Sequence, residues 1–425
     1  MSSTLPVPAA ARPAPIPGLL DRYNLRERFG VFTYRDYRLL FAGQAVSAIG
    51  SWMQLVAQGW LVYALTGSPF YLGLVALARA IPTVVFSLIG GAVADRADRR
   101  LVIAAANGVA GLLAGVLGLL VWFNAVSIWH IIAISFFSAL AFSFEVPCRQ
   151  ALISDIVDEK DVVSAVGLNS LAFNIAAVIG PALAGILIMR IDEGAIFLLN
   201  GASYAAVVAS ILMTRPGQCC GSSDRSVLSD TYAGLKYVWR TPELLALIGL
   251  MVITSLLARP YTQLLPVFAS DVLQIGAAGL AALNAAAGGG AIVAGIVVAV
   301  FGTFPRRGLV IALSGVVFGV ALSVFAFSTS MFVSMAAAGV LGLCGTYSSI
   351  GANTMLQTYS EERLRGRVMG LHGLTMMGLV PLGAMLEGSL GSAINVPTVL
   401  CAAGALTAVA TLFIAVRAAR LRELE

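Results

Sequence analysis

Twelve long apolar stretches, separated by short polar connections, constrain this chain more than any other feature of its sequence. A stretch of about 20 apolar residues crosses the hydrocarbon layer as a helix. Of the 425 residues, 59% are hydrophobic and 11% are charged, against roughly 25% charged in soluble domains. The expected spans are 38–63, 70–94, 101–123, 128–147, 163–189, 194–213, 242–268, 275–301, 309–328, 330–357, 367–388 and 396–416. The composition therefore excludes a soluble fold.

The spans predict an all-α membrane protein and not a β-barrel. A barrel strand alternates apolar and polar residues over about ten positions, whereas a stretch such as 101–121 is apolar on every side. Such a segment satisfies its backbone hydrogen bonds in lipid only as a helix. Residues 1–17 are rich in Pro and Ala and have no continuous apolar core, so we expect a cytoplasmic tail there and no signal peptide.

The basic residues predict which side of the membrane each connection occupies. Of the 26 Lys and Arg residues, 23 lie before the first span, after the last span or in connections that follow even-numbered spans. Arg190 lies on the opposite side, and Arg79 and Arg259 lie within spans. Because basic residues of short loops stay in the cytoplasm, both termini are predicted to be cytoplasmic and the protein to lie in the inner membrane.

The two halves of the chain repeat one pattern. Pro181 in the fifth span and Pro381 in the eleventh are 200 residues apart. Two six-helix halves that start on the same side are parallel repeats, an arrangement typical of transporters with a substrate site between the halves. The predicted segments are a tail over 1–33, a bundle over 34–213, a linker over 214–241, a bundle over 242–417 and a tail over 418–425.

Several segments carry motifs of a known family. They are Gly91-Ala92-Val93-Ala94-Asp95-Arg96-Ala97-Asp98-Arg99-Arg100, Gly180-Pro181-Ala182-Leu183-Ala184-Gly185, Tyr34-Arg35-Asp36-Tyr37-Arg38-Leu39-Leu40 and Arg365-Gly366-Arg367-Val368-Met369-Gly370. The first two resemble the G-x-x-x-D-R-x-G-R-R and G-P-x-x-G motifs of the major facilitator superfamily, with Asp98 where the family usually has Gly. The others are similar to the enterobactin-exporter-type branch of bacterial exporters. The resemblance implies two pseudo-symmetric six-helix bundles and efflux of drugs, siderophores or other metabolites.

The first two motifs predict gating residues. The expected set is Gly91, Asp95, Arg96, Arg99, Arg100, Gly180, Pro181 and Gly185. A carboxylate at the end of the second span can accept hydrogen bonds from a neighbouring helix N-terminus, and arginines there can bridge carboxylates of the other half. Proline bends a helix, and small residues allow close packing, so Gly288-Gly289-Gly290 is the expected packing partner across the interface. The alternative is that the arginines only determine topology.

A polar stripe on the first span predicts the wall of a substrate cavity. Its members recur every three or four residues, at Gln44, Ser47, Ser51, Gln54 and Gln58. Such a stripe avoids lipid by facing water or other helices, so hydrogen bonding between helices is the rival interpretation. The other predicted cavity residues are Arg79, Asn174, Arg259, Tyr261, Thr346, Asn353 and Met376.

Titratable residues within or near the spans predict proton coupling or ion pairs. Glu145 precedes Arg149 by four residues, which suits both an ion pair and a carboxylate that binds a proton when it is desolvated. His372 is a candidate proton relay, although a hydrogen-bonded core histidine is the alternative. Arg259 and Glu387 form a hypothetical gate pair toward the outside.

No sequence feature indicates an enzyme or a bound cofactor. Neither lysine follows a glycine, which excludes a phosphate-binding P-loop, and no cysteines or histidines have the spacing of a metal site. The predicted function is proton-coupled secondary export of an amphipathic small molecule by a monomer in the lipid bilayer, without nucleic acid. Lipid or lysolipid translocation is the alternative, and a non-transporting sensor or scaffold is a remote one.

Overall fold

A computed structural model describes residues 30–214, 235–301 and 307–417. Twelve helices in this part of the chain are long and apolar enough to cross a membrane. We number them α1 Arg35–Thr66, α2 Pro69–Arg96, α3 Arg99–Trp122, α4 Ile128–Ile156, α5 Val162–Ile188, α6 Glu193–Leu212, α7 Pro242–Val272, α8 Gly276–Phe301, α9 Arg307–Phe327, α10 Met331–Tyr359, α11 Glu362–Ala393 and α12 Val396–Arg417. The predicted all-α fold with twelve spans is confirmed.

Local sequence signals end and restart these helices in very short connections. Gly67 adopts a left-handed conformation (φ 58°) and returns its N–H to the carbonyl of Tyr63, which ends α1. Pro69 then begins α2 at a position where its missing N–H costs nothing. Asp98 caps α3 by accepting a hydrogen bond from the backbone N–H of Arg100 at 2.9 Å. This cap gives a physical reason for an aspartate at a position where the family motif has glycine.

The helices pack as two bundles of six with matching neighbours. In the first bundle α2 packs on α4, α3 on α4 and α6, and α1 on α5 and α6. In the second bundle α8 packs on α10, α9 on α10 and α12, and α7 on α11 and α12. The bundles meet where α2 packs on α11 and α5 packs on α8. The architecture is therefore the pseudo-symmetric pair of bundles that the sequence repeat predicts.

Three π-helical turns interrupt the second bundle. They span Thr254–Ala258 and Phe268–Val272 in α7 and Thr375–Leu379 in α11. A π-turn widens the helix by one residue and frequently marks a functional site. Each of these helices also contains a proline, at Pro260 and Pro266 in α7 and at Pro381 in α11.

The structure changes the depth of one predicted residue. The fourth span was expected to end at residue 147, but α4 continues to Ile156. Glu145 therefore lies three helical turns inside α4 and not one turn from its end. The tail over 1–29, most of the linker, the second-half motif around Arg306 and the tail over 418–425 lie outside the described residues.

Candidate transport pathway between the two bundles

At one end of the molecule, hydrogen bonds join the two bundles. The Tyr63 hydroxyl at the end of α1 donates to Oδ2 of Asp271 in α7 at 2.5 Å. At the start of α2, the Phe70 N–H donates to Oγ of Ser392 in α11 at 3.0 Å, and Ser68 Oγ lies 3.3 Å from the same oxygen. We call this end, which contains the α1–α2, α7–α8 and α11–α12 connections, the closed end.

Small residues let the helices approach closely at the closed end. A β-carbon on Gly73 of α2 would lie 2.6 Å from Cα of Met385 in α11, and one on Gly388 would meet the backbone of Pro69. A β-carbon on Gly185 of α5 would likewise meet the side chain of Ala281 in α8. Helix axes can approach this closely only where side chains are absent, so these glycines create the seal.

At the opposite end, which we call the basic end because it contains the α2–α3, α4–α5 and α10–α11 connections, space remains around the helices. A β-carbon added at any of Gly91, Gly167, Gly366 or Gly370 would meet no atom within 4 Å. Asp95 is half-buried and has no hydrogen bond or ion pair with another described residue. Hydrogen bonds and close packing thus join the bundles at the closed end, whereas these four glycines of the basic end have no described neighbour at the β position.

The basic residues of the first motif contact their own bundle in this conformation. Arg99 forms an ion pair with Asp155 of α4 at 2.5 Å and donates to the carbonyl of Ala94. Arg100 donates to the last carbonyls of α6, those of Ile211 and Leu212, where a cation is favoured by the helix dipole. Arg96 is exposed. Their gating role, with bridges to the other half, stays a prediction.

The second motif packs on two different partners. Gly180 faces Trp52 of α1 in its own bundle, with 2.5 Å between its added β-carbon and Cβ of Trp52. Pro181 is buried beside it. Of the expected partner Gly288-Gly289-Gly290 in α8, Gly288 contacts Val178 of α5, two residues before the motif, so α8 does pack beside the motif across the interface. Gly290 instead faces Gly339 of α10.

The polar stripe of α1 is bonded mainly to its own bundle. Gln58 donates to Ser135 of α4 at 2.6 Å, Ser51 bonds to Tyr204 of α6 at 2.9 Å, and Gln54 accepts from Asn200 of α6 at 2.6 Å. Ser47 and Gln58 are buried. These groups find partners on neighbouring helices. At the buried Gln58, the rival interpretation of the stripe, hydrogen bonding between helices, therefore holds. Gln44, Ser51 and Gln54 are only half-buried.

Glu145 is the centre of a buried network in the first bundle. Arg149 donates to Glu145 Oε1 at 2.8 Å, as the four-residue spacing predicted, and Gln44 donates to the same oxygen at 3.2 Å. Only 2% of Glu145 is exposed. Because both partners belong to its own bundle, the geometry favours the structural reading of Glu145 over the proton site.

Arg79 brings a positive charge to the pathway from the first bundle. It lies ten residues from the closed end of α2, its side chain is exposed, and it is within electrostatic range of Tyr204. Charged side chains at membrane depth face protein or a water-filled cavity. Asn174 is also exposed, and it lies one turn from Val178 on the face of α5 that meets α8. Their role in binding a cargo stays a prediction.

Arg259 brings a second charge from the other bundle. It donates to the carbonyl of Gly345 in α10 at 2.8 Å. It also lines a small cavity that is shared with Thr254, Ser348, Met376 and Thr411. No ion pair in the part of the chain that the structure describes includes Arg79 or Arg259.

The other predicted cavity residues of the second bundle divide into core and surface positions. Tyr261 is 4% exposed and packs on Phe318 and Phe325, so it belongs to the core and not to a cavity wall. Thr346 is half-buried. Asn353 accepts a hydrogen bond from Gln357 of its own helix.

The expected gate pair of Arg259 and Glu387 is wrong in this structure. Arg259 lies 13 residues before the closed end of α7, whereas Glu387 lies six residues before the closed end of α11, a depth difference of about 10 Å at 1.5 Å per residue. Both carboxylate oxygens of Glu387 are buried without a hydrogen-bond partner among the described residues. Nε2 of His372 is also buried without a hydrogen-bond partner among the described residues. The alternative of a hydrogen-bonded core histidine therefore does not hold at this atom.

Four further residues take part in the site that the sequence did not single out. Tyr204 and Asn200 complete the α1 stripe, and Asp271 and Ser392 join the bundles at the closed end. Asn200 and Tyr204 are polar residues four apart in an apolar helix, and this spacing could have predicted that both face other helices. Asp271 and Ser392 resemble ordinary loop residues in the sequence, because their partners lie more than 200 residues away.

Solved structures with this arrangement are transporters. The described fold superposes with a TM-score of 0.74 on a POT family transporter in complex with 5-aminolevulinic acid, at 11% identity over 91% of this chain and 96% of that one. A bacterial homologue of the lysosomal transporter Spinster, in an inward-facing and unoccupied conformation, gives 0.68 at 15% identity over 92% and 96%. These similarities establish the major facilitator fold.

The sequence comparison identifies the family. Residues 28–425 match the family of transmembrane secretion effectors, so the chain belongs to this family of major facilitator transporters and is not an enzyme. It is 23% identical to macrolide efflux protein A of Streptococcus pyogenes over 85% of this chain and 92% of that one. It is 27% identical to the multidrug efflux pump Tap of Mycobacterium tuberculosis (92% and 94%) and 26% to the staphyloferrin A transporter of Staphylococcus aureus (82% and 88%).

Proposed function

We propose that the protein exports amphipathic small molecules across the inner membrane by proton-coupled alternating access. The observation that carries the proposal is the asymmetry of the pathway. Hydrogen bonds and close-packed glycines join the bundles at one end, while the motif glycines at the other end face open space. A transporter with one sealed end and one open end needs only to rock the bundles about their contacts to move a cargo across.

The orientation follows from the basic residues. The connections and terminal segments assigned to the basic end contain 23 of the 26 Lys and Arg residues of the chain, and basic loops stay in the cytoplasm. The conformation described here is then open to the cytoplasm and ready to load an outgoing cargo. Both termini lie on that side, and the pathway is formed within one chain, which favours a monomer.

The chemistry of the pathway favours a bulky cargo that has an acidic or hydrogen-bond-accepting group. Arg79 is exposed and has no ion-pair partner in the described segments. A cation at this depth is best stabilised by an opposite charge. The relatives named for macrolide efflux, multidrug efflux and staphyloferrin A support a drug or a siderophore as cargo.

Proteoliposomes with an imposed proton gradient test the proposal. The probes are radiolabelled erythromycin, staphyloferrin A and lysophosphatidylcholine. We expect gradient-dependent accumulation of at least one of the first two and its loss when the gradient is collapsed. Transport that persists without the gradient contradicts proton coupling, and transport of the lysolipid alone supports the lipid translocator.

Arg79→Gln tests the cargo chemistry. The change removes the cation but keeps the size of the side chain, and we expect accumulation to fall at least tenfold while the melting temperature is unchanged. Arg190→Gln is the matched control, because Arg190 is an exposed arginine in the α5–α6 connection at the closed end. Equal transport by both variants would contradict the role of Arg79.

A further inference from the structure

Glu387 stands apart from the other carboxylates of the described helices. Only 4% of the residue is exposed, and neither oxygen has a hydrogen-bond partner among the described residues. Glu145, the other deeply buried carboxylate, has both an arginine and a glutamine as partners. An ionised carboxylate buried without compensation is strongly disfavoured, whereas the neutral acid is tolerated. The closed conformation therefore accommodates Glu387 with a proton bound.

Glu387 lies where the two bundles meet. The next residue, Gly388, faces the backbone of Pro69 and Phe70 at the start of α2. Gly383, one turn earlier, faces Leu256 and Pro260 of α7. Glu387 thus occupies the junction of α2, α7 and α11, about 9 Å below the closed end of α11 at 1.5 Å per residue. If α2 and α11 part at the closed end, water from that side reaches this junction first.

No neighbouring charge compensates Glu387. The helices packed on this part of α11 are α2, α7 and α12. The titratable residues in the closed-end halves of those helices are Tyr71, Arg79, Arg259, Tyr261, Asp271 and Cys401. Tyr71 packs on Phe70, and Tyr261 packs on Phe318 and Phe325. Asp271 accepts from Tyr63, and Arg259 donates to Gly345. Arg79 is in range of Tyr204, and no ion pair of the described residues includes Glu387.

We propose that Glu387 is a proton-binding site of the closed end, which takes up a proton from the outside when α2 and α11 close on it. The inference rests on the proposed function, because it supplies the exporter with a protonation step. Acid outside the cell then drives the empty transporter from its outward-open to its cytoplasm-open conformation. The proton is the only ligand involved.

Distances between spin labels across the closed end test this proposal. Labels on cysteines at Ala125 and Thr329, both exposed at that end and one in each bundle, are measured on the full chain in lipid nanodiscs, with the five natural cysteines replaced by serine. In the wild-type background we expect the ratio of closed to open molecules to fall by up to about tenfold per pH unit once Glu387 titrates. The neutral variant Glu387→Gln is expected to stay closed from pH 5 to pH 8.

The control variant is Glu193→Gln, which removes an acid at the closed end of α6, a helix that does not take part in the junction of α2, α7 and α11. We expect it to keep the wild-type pH response. A wild-type ratio that does not change with pH, or an unchanged response in Glu387→Gln, would overturn the proposal.

Carbodiimide labelling gives a second readout that needs no variant. N,N′-dicyclohexylcarbodiimide reacts with protonated carboxyl groups in apolar surroundings, and mass spectrometry locates the adduct. We expect labelling of Glu387 and not of Glu145 in the wild-type protein at pH 7, and the reverse result would contradict the proposal. Neither measurement uses a cargo, so erythromycin or staphyloferrin A transport can fail while the pH response at Glu387 persists, and the two outcomes are distinguishable.

Discussion

The two bundles satisfy their buried polar groups in different ways. In the first bundle, the α1 stripe is bonded to side chains of α4 and α6, Glu145 among them, although Trp52 Nε1 lacks a partner among the described residues. In the second, Glu387, Thr411 and Nε2 of His372 lack partners among the described residues. All three described π-helical segments belong to the second bundle. The difference places the buried carboxylate without a described partner, which we propose as the proton site, in the second bundle.

The largest loss of stability is expected when the Glu145 network of the first bundle is broken. Glu145→Ala leaves Arg149 as an uncompensated charge, and removing one partner of a buried ion pair costs about 3–5 kcal/mol of stability. Thermal unfolding of purified protein measures the loss. The double variant Glu145→Ala/Arg149→Ala should recover part of it, because no lone charge remains. A double variant no more stable than the single one would contradict the network.

A matched pair of hydroxyl deletions sharpens the comparison between the bundles. Ser135→Ala removes the acceptor of the buried Gln58 amide, which leaves a donor unsatisfied at a cost of about 1–3 kcal/mol. Thr411→Val replaces a buried hydroxyl that has no described partner, so we expect no loss of stability. Both are read as melting temperatures in the same detergent. A Thr411→Val variant as unstable as Ser135→Ala would show that Thr411 is bonded after all, for example to a water in the small cavity beside Arg259.

Tyr63→Phe tests the link between the bundles. The variant removes the hydroxyl that donates to Asp271 and keeps the ring, and a hydrogen bond to a charged group contributes about 1.5–3 kcal/mol. The closed end should therefore open more often, which labels at Ala125 and Thr329 report. Tyr71→Phe serves as the control, because Tyr71 is a half-buried tyrosine of α2 at the same end. An unchanged distance distribution in Tyr63→Phe would contradict the role of the Tyr63–Asp271 hydrogen bond in holding the closed end together.

The smallest effect is expected at the surface of the first bundle. The Tyr34 hydroxyl donates to Asp161 at 2.8 Å, and hydrogen bonds to Asp158 and Asp161 raise the pKa of Tyr34 to about 12. Since Tyr34 is half-buried and Asp158 beside it is exposed, the contact borders on solvent, and we expect Tyr34→Phe to change the melting temperature within experimental error. The phenol should stay protonated up to pH 11 in an ultraviolet titration, and ionisation near pH 10 would contradict this contact.

Patterns within single helices allowed much of the site to be predicted. The Glu145–Arg149 pair follows from a four-residue spacing on one helix, and the α1 stripe from its recurrence every three or four residues. The Arg259–Glu387 pair failed because it required relative depths on two helices, which π-turns and prolines shift. The expected α8 triplet does contact α5 beside the Gly180 motif, through Gly288 and Val178, but Gly180 itself packs on Trp52 of α1, since a glycine marks a close approach without identifying the helix that approaches.

The sequence by itself determined that twelve apolar helices cross the membrane, that they form two repeated bundles and which of their ends are basic, because hydrophobic length and charge are local properties that the bilayer sorts. Only the tertiary structure decided which polar groups have partners, and it left Glu387 alone at the junction of α2, α7 and α11. Whether a buried carboxylate is compensated depends on side chains hundreds of residues away. Their meeting is an outcome of packing, and no local pattern records it.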